Sequence, residues 1–216
     1  IPGEITLAHM GLLFLDEFPE FGRAVLEALR QPLEDGCVTI SRASASLTYP
    51  AQFMLVAAMN PCPCGNYGDP SMECTCPPWK VQKYFQKISG PILDRIDIHL
   101  NMPRLNKDEL MTSSCGESSA EIKKRVISAR QMQKDRFKEW RTASNAKIPP
   151  RYMRKFCPME PAAEDLMKSA VFKLRLSGRA FDKILKVSRT IADLETSATI
   201  KPEYIAEAIQ YRPDRG

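Results

Sequence analysis

Two uninterrupted apolar runs constrain this chain more than any other feature. Gly11-Leu12-Leu13-Phe14-Leu15 stops at Asp16-Glu17, and Phe53-Met54-Leu55-Val56-Ala57-Ala58-Met59 stops at Asn60-Pro61. Continuous rather than alternating hydrophobicity is the pattern of strands buried in a parallel sheet. Between the runs, Arg23 to Leu33 has helical spacing, with Val25, Leu26 and Leu29 on one face. After Gly36 the stretches Val38 to Arg42 and Ser46 to Tyr49 show the β-branched alternation of a hairpin, with Ala43-Ser44-Ala45 between them. Ile96 to Leu100 is a third candidate strand. Alternating strands and helices predict an α/β fold with a parallel sheet over residues 1–105.

Residues 106–118 are polar and mixed, as expected of a linker, and 119–216 read as helices only. Glu121 to Trp140 places Ile122, Val126, Ala129, Phe137 and Trp140 near one stripe. Pro161 to Leu176 follows, then Arg179 to Thr196 with Phe181, Ile184, Leu185, Ser188 and Ile191 inward. Pro202, in a first turn, opens a last helix through Gln210. The second domain is expected to be a small helical bundle.

The net charge of +5 hides an asymmetry: residues 1–118 carry 9 Lys/Arg against 14 Asp/Glu, and 119–216 carry 22 against 12. Between Lys123 and Lys155 twelve basic side chains, beginning with Lys123, Lys124 and Arg125, meet only Asp135 and Glu139. A solvated helix face and a polyanion-binding surface both fit that pattern. No window approaches a membrane span and no basic-then-apolar leader opens the chain, so a cytoplasmic protein without membrane contact is expected. Its first residue is Ile rather than Met, and it is expected to be part of a longer protein.

An apolar strand ending in Asp-Glu puts two carboxylates at the carboxyl edge of a parallel sheet, where open α/β folds bind ligands. In a nucleotide site Asp16 would hold Mg²⁺ and Glu17 would polarise the attacking water; the same pair would serve equally to cap the next helix. Asn60 would orient that water, or is simply a turn residue before Pro61. Arg95, in Asp94-Arg95-Ile96-Asp97, is placed to reach a γ-phosphate across a subunit boundary or to pair with nearby carboxylates. Arg179, opening a helix after Ser177-Gly178, is a second cation that would face phosphates.

Of seven cysteines, four are clustered as Cys62-Pro-Cys64 and Cys74-Thr-Cys76. Two C-x-C elements amid Gly, Asn and Pro would supply a tetrahedral, closed and therefore structural Zn²⁺ site, free or oxidised thiols being the other reading. Cys37, Cys115 and Cys157 read as ordinary thiols, and His9 and His99 as structural. Arg42, near the hairpin tip, would contact nucleic-acid phosphates or be merely solvated.

Taken in order, Pro2 to Ile5, Leu7-Ala8-His9, GLLFLDE (11–17), the hairpin, AAMNPCPCG (57–65), GPILDRIDIH (90–99) and LSGRAFDKILKVSRTIADL (176–194) resemble the AAA+ ATPases related to the magnesium-chelatase subunit, in particular the ComM/YifB group. The resemblance covers nearly the whole chain. It implies a partial AAA+ core with a helical lid, ATP and Mg²⁺ as ligands, Walker B at Asp16 and Glu17, sensor 1 at Asn60, an arginine finger at Arg95, sensor 2 at Arg179 and a homo-hexameric ring. In related rings a hairpin at this place enters the central pore.

One departure matters: no G-x-x-x-x-G-K-[ST] phosphate loop occurs in these 216 residues. The resemblance implies that it lies before Ile1, in an N-terminal remainder of the same protein, together with a strand between those ending at Asn60 and Leu100. Ile96 to Leu100 is then expected to be displaced or irregular, and this chain alone to lack a competent ATP site. The leading expectation is an ATPase acting on DNA in recombination or uptake. A chelatase-type ATPase remodelling a protein or metal-insertion partner is the alternative, and a non-enzymatic assembly module the third.

Overall fold

In the computed structural model, residues 3–42, 45–104, 111, 116–140 and 144–213 are described, apart from the side chains of Arg42 and Ala45. A short helix α1 (Glu4–Leu7) leads into β1 (Leu12–Leu15). The first apolar run pairs in parallel with β4 (Met54–Ala57), Leu12 opposite Met54 and Phe14 opposite Val56. Backbone bonds extend the pairing at both ends: Met54 N–H to the Gly11 carbonyl (3.0 Å), Ala58 N–H to Leu15 (2.9 Å) and Phe18 N–H to Ala58 (2.9 Å). His9 accepts the Gln52 N–H through Nδ1 at 3.1 Å, tying the entry points of the two strands.

The helix expected over Arg23 to Leu33 forms as two pieces, α2 (Arg23–Ala28) and α3 (Arg30–Asp35). Pro32 has no N–H to give the Ala28 carbonyl, and its ring crowds that same group, so the ladder breaks at Leu29. Gly36, at φ 68°, ends α3 in the left-handed conformation that suits glycine. The hairpin follows as β2 (Cys37–Arg42) against β3 (Ala45–Pro50), antiparallel, with the Thr39 and Thr48 hydroxyls paired at 3.1 Å. Residues 43 and 44, at its tip, lie outside the described residues. Helices α4 (Pro78–Phe85) and α5 (Gly90–Leu93) complete this part.

The β1–β4 ribbon is not buried on both faces, contrary to its sequence pattern. Leu13 and Leu15 pack on a core of Phe18, Leu26, Leu29, Ile88 and Ile92. Leu12, Phe14, Met54 and Val56, alternating with them, stay exposed. Parallel strands read as continuously apolar because helices normally cover both sides; here the described helices cover one.

Ile96 to Leu100 forms no strand. Residues 97–101 group instead with the helical second unit, where the His99 N–H donates to the Tyr211 carbonyl at 2.8 Å and Lys183 pairs with Asp97 at 3.0 Å. With no described strand beside it, the segment's backbone groups find partners elsewhere.

That second unit contains α6 (Ser119–Arg136), α7 (Met153–Phe156), α8 (Pro161–Lys173), α9 (Gly178–Leu194) and α10 (Pro202–Gln210). Its core gathers Met153, Met167, Ile184, Leu185, Ala192 and Ile205. The stripe expected on α6 is only half used. Ala129 is buried and Phe137, just past the helix, joins it, but Ile122 and Val126 remain over 40% exposed. A capping box starts α6: Ser118 Oγ accepts the Glu121 N–H, and the Glu121 carboxylate accepts the Ser118 N–H. The predicted linker lies mostly outside the described residues. Among the described residues no helix is long and apolar enough to cross a membrane.

Candidate functional site

Asp16 and Glu17 leave the end of β1, and Asn60 stands just beyond the end of β4. Because the two strands run parallel and in register, all three side chains come to one edge of the ribbon, and all three are exposed. Glu17 sits at φ 50° and ψ 43°, a left-handed conformation costing a non-glycine residue about 1 kcal/mol or more. The neighbours enforce it: Phe18 is buried, its N–H is anchored on Ala58, and Pro19 follows in a tight turn. Asp16 Oδ1 accepts the Glu17 N–H at 2.8 Å, leaving its other oxygen available. Such an edge, two carboxylates and an amide held by rigid strands, can hold a hydrated cation and orient a water.

Tyr84, which sequence reasoning missed, lies near the Asn60 backbone. It is 5% exposed, and burial, with the Glu20 carboxylate nearby, raises its pKa against the pull of the Asn60 backbone. The signal available was the i, i+3 pair Val81 and Tyr84, the two buried positions of α4.

The four clustered cysteines converge. All their sulfurs lie within 4.8 Å of one another, with Cys62 to Cys64 at 3.3 Å, Cys62 to Cys74 at 3.7 Å and Cys64 to Cys74 at 3.6 Å. The edge of a tetrahedron with metal–sulfur bonds of about 2.3 Å is about 3.8 Å, so this cluster can hold a metal ion. Hydrogen bonds from the Asn66 backbone and from Cys62 bring Cys64 down to about 5. The Cys76 backbone lowers Cys74, but burial and the neighbouring sulfurs outweigh it and push Cys74 up to about 12. Burial likewise raises Cys76. The crowding thus separates Cys64 from Cys74 and Cys76. Gly65 and Gly68, both at positive φ, make the turns between the ligands.

The arginines differ in setting. Arg95 follows α5 and is turned onto Glu34, while its Nη1 donates to the Pro91 carbonyl at 2.7 Å; its side chain is only 13% exposed. Arg179 lies in the first turn of α9, exposed, behind the Ser177 cap whose Oγ accepts the Ala180 N–H. Arg42 ends β2, with its side chain outside the description. Lys123, Lys124 and Arg125 are exposed on α6, and Arg125 is engaged bidentately by Glu117 at 2.7 and 2.9 Å.

The basic stretch is not one uniform surface. Arg136 turns inward to the buried Asp193, and Lys155 lies 5.3 Å over the Trp140 ring.

The profile of the magnesium chelatase subunit ChlI matches residues 1–110, and that of its C-terminal part matches 116–212. The chain belongs to the magnesium-chelatase ChlI family. Within that family it is 44% identical over 212 residues to the uncharacterized protein YifB of Salmonella typhimurium, covering 98% of this chain and 41% of the relative. It is 43% identical over 212 residues to the competence protein ComM of Haemophilus influenzae, covering 98% and 40%. A distant match, 22% identical over 221 residues, is the DNA replication licensing factor mcm6 of Dictyostelium discoideum, covering 95% and 23%. The chain thus spans about two fifths of the length of the ChlI-family relatives it matches.

Proposed function

We propose that this chain is the Walker B, sensor and lid portion of a ring-forming, homo-hexameric, Mg²⁺-dependent AAA+ ATPase that acts on DNA. The observation that carries the reading is the parallel register of β1 and β4, which sets Asp16, Glu17 and Asn60 on one edge. Asp16 would hold Mg²⁺, which supplies charge neutralisation for the phosphates. Glu17 would take the proton of the attacking water and Asn60 would orient that water. Arg95 would serve the neighbouring subunit's nucleotide after leaving Glu34, and Arg179 would read the phosphates from the lid.

The phosphate loop and the cover for the open ribbon face are assigned to a further part of the same protein. The relatives' greater length and the exposed Leu12, Phe14, Met54 and Val56 support that assignment. The four cysteines are assigned a structural Zn²⁺, which would hold the turns of the 62–76 segment. For DNA, the support is the likeness to the competence protein ComM and to the DNA replication licensing factor mcm6, with the exposed Lys123 and Lys124 and the hairpin bearing Arg42.

The test is ATP hydrolysis by the full-length protein with and without single-stranded, double-stranded and branched DNA. Stimulation by DNA, abolished by Glu17→Gln with ATP binding retained, is the expected result. Hydrolysis indifferent to every DNA would move the protein to the chelatase-type reading, a motor on a protein partner.

A further inference from the structure

Beside the cysteine cluster lies a surface with no part in the chemistry above. Tyr67, from the turn between the two C-x-C elements, and Phe85, from α4, line one cleft of about 430 Å³ together with Pro78 and Gln82. Trp79 precedes Gln82 by three residues and so shares its side of α4. Trp79 is 65%, Tyr67 53% and Phe85 42% exposed. These are not side chains waiting for the chain's own core, because α4 already satisfies that core with Val81 and Tyr84.

Groups of both signs lie near the aromatics, with Cys74 and Cys76 lining the cleft itself. Lys80 and Lys83 are exposed on the same helix and make no ion pair among the described residues, whereas Lys87 is engaged by Glu20 at 2.9 Å. Of the two carboxylates between the C-x-C elements, Asp69 is matched by Arg104 at 3.4 Å, leaving Glu73. Exposed π-faces with ammonium groups on the same helix can hold single-stranded nucleic acid: bases stack, and the cations take the backbone. A duplex keeps its base faces occupied by one another and cannot use such a cleft.

We propose that the cleft of the four-cysteine segment binds single-stranded DNA. One base stacks against Tyr67 and Phe85 with its edge toward the Gln82 amide, the next lies on Trp79, and Lys80 and Lys83 take phosphates. This rests on the DNA-acting reading above and deepens it, assigning the strand contact to a place distinct from the hairpin and the basic α6.

The experiment uses the full-length protein, fluorescent dT30 and a duplex of the same length, with dT30 carrying 5-iododeoxyuridine for photocrosslinking. Trp79→Ala and Phe85→Ala should each weaken dT30 binding by about tenfold, the range expected for one lost stacking partner. Lys80→Ala with Lys83→Ala should flatten the salt dependence by about 1.4 in log–log slope. Crosslinks should map to Tyr67, Trp79 or Phe85. Crosslinks confined elsewhere, with unchanged affinity of the aromatic variants, would overturn this contact while leaving DNA action intact. Absence of all DNA binding and of DNA-stimulated hydrolysis would overturn both. Should the variants lose their metal, the crosslink map of the unaltered protein decides.

Discussion

At the scale of single residues, the helical unit depends on an ion cluster that the apolar periodicity does not announce. Asp193 is fully buried and accepts from Arg136 at 2.8 Å, from Arg189 Nε at 3.1 Å and from Asn145 at 2.7 Å. Burial lowers the pKa of Arg189 and Asp193 opposes that shift, so the guanidinium is tolerated because the carboxylate is there. Asp193→Ala should therefore destabilise the protein by about 3–5 kcal/mol in chemical denaturation, the cost of a buried charge left without its partner. Cys157, 2% exposed, is a second such residue: burial pushes its thiol up to about 11, against the pull of Arg189 and Arg136. Between pH 9 and 11 the folded state keeps a proton that the unfolded chain releases. Stability should thus fall as pH rises through that window, by roughly 2–3 kcal/mol, and level off above it. Cys157→Ala should flatten this alkaline limb when denaturation midpoints are compared from pH 8 to 11.

At the scale of elements, local signals were read well where one residue dictates geometry and poorly where two elements must meet. Pro202 starts α10 and Gly36 stops α3 because each imposes a backbone conformation by itself. The break at Leu29 was equally local but was not read, although Pro32 stands in plain sight. The Ser118 and Glu121 capping box was readable too, from their spacing alone. The 62–76 segment is different: its cysteines are two C-x-C pairs in sequence, and folding brings all four sulfurs within 4.8 Å. Elemental analysis of protein purified without chelator should find near-stoichiometric zinc. Chelation should then make these four cysteines alkylatable while Cys157, in a separate core, stays protected. A metal-free preparation with the same alkylation pattern before and after chelator would remove zinc from the account.

At the scale of the whole molecule, the open face of the β1–β4 ribbon is an apolar surface without cover among the described residues. Leu12, Phe14, Met54 and Val56 are 54%, 56%, 65% and 38% exposed, side by side across two paired strands. Surface of this kind is an association hazard in isolation and a packing surface when covered. Phe14→Ser should make this chain alone less self-associating by sedimentation. The same change in the full-length protein should cost about 3–5 kcal/mol of stability, because a covered aromatic would be lost. Improved solubility with no loss of full-length stability would mean that the face is never covered.

The strand cores, the hairpin, the helical second half and the grouping of four cysteines were legible from sequence alone, because each rests on short-range periodicity or on residue types with few uses. That the two apolar runs are strands of a parallel sheet was inferred from pattern, but the register that aligns Asp16, Glu17 and Asn60 and the left-handed turn at Glu17 were not. That turn arises from Phe18, buried and hydrogen-bonded to Ala58, forty residues away in the chain. Ile96 to Leu100 carries a strand's composition and forms none, since strand formation requires a neighbour with free backbone groups, and the segment bonds to Tyr211 instead. The burial of Arg189 and Asp193, the turning of Arg95 onto Glu34 and the one-sided cover of the ribbon were likewise tertiary decisions. Sequence determines what each segment prefers by itself; which partner satisfies a charge, a carbonyl or an apolar face depends on what folding places beside it.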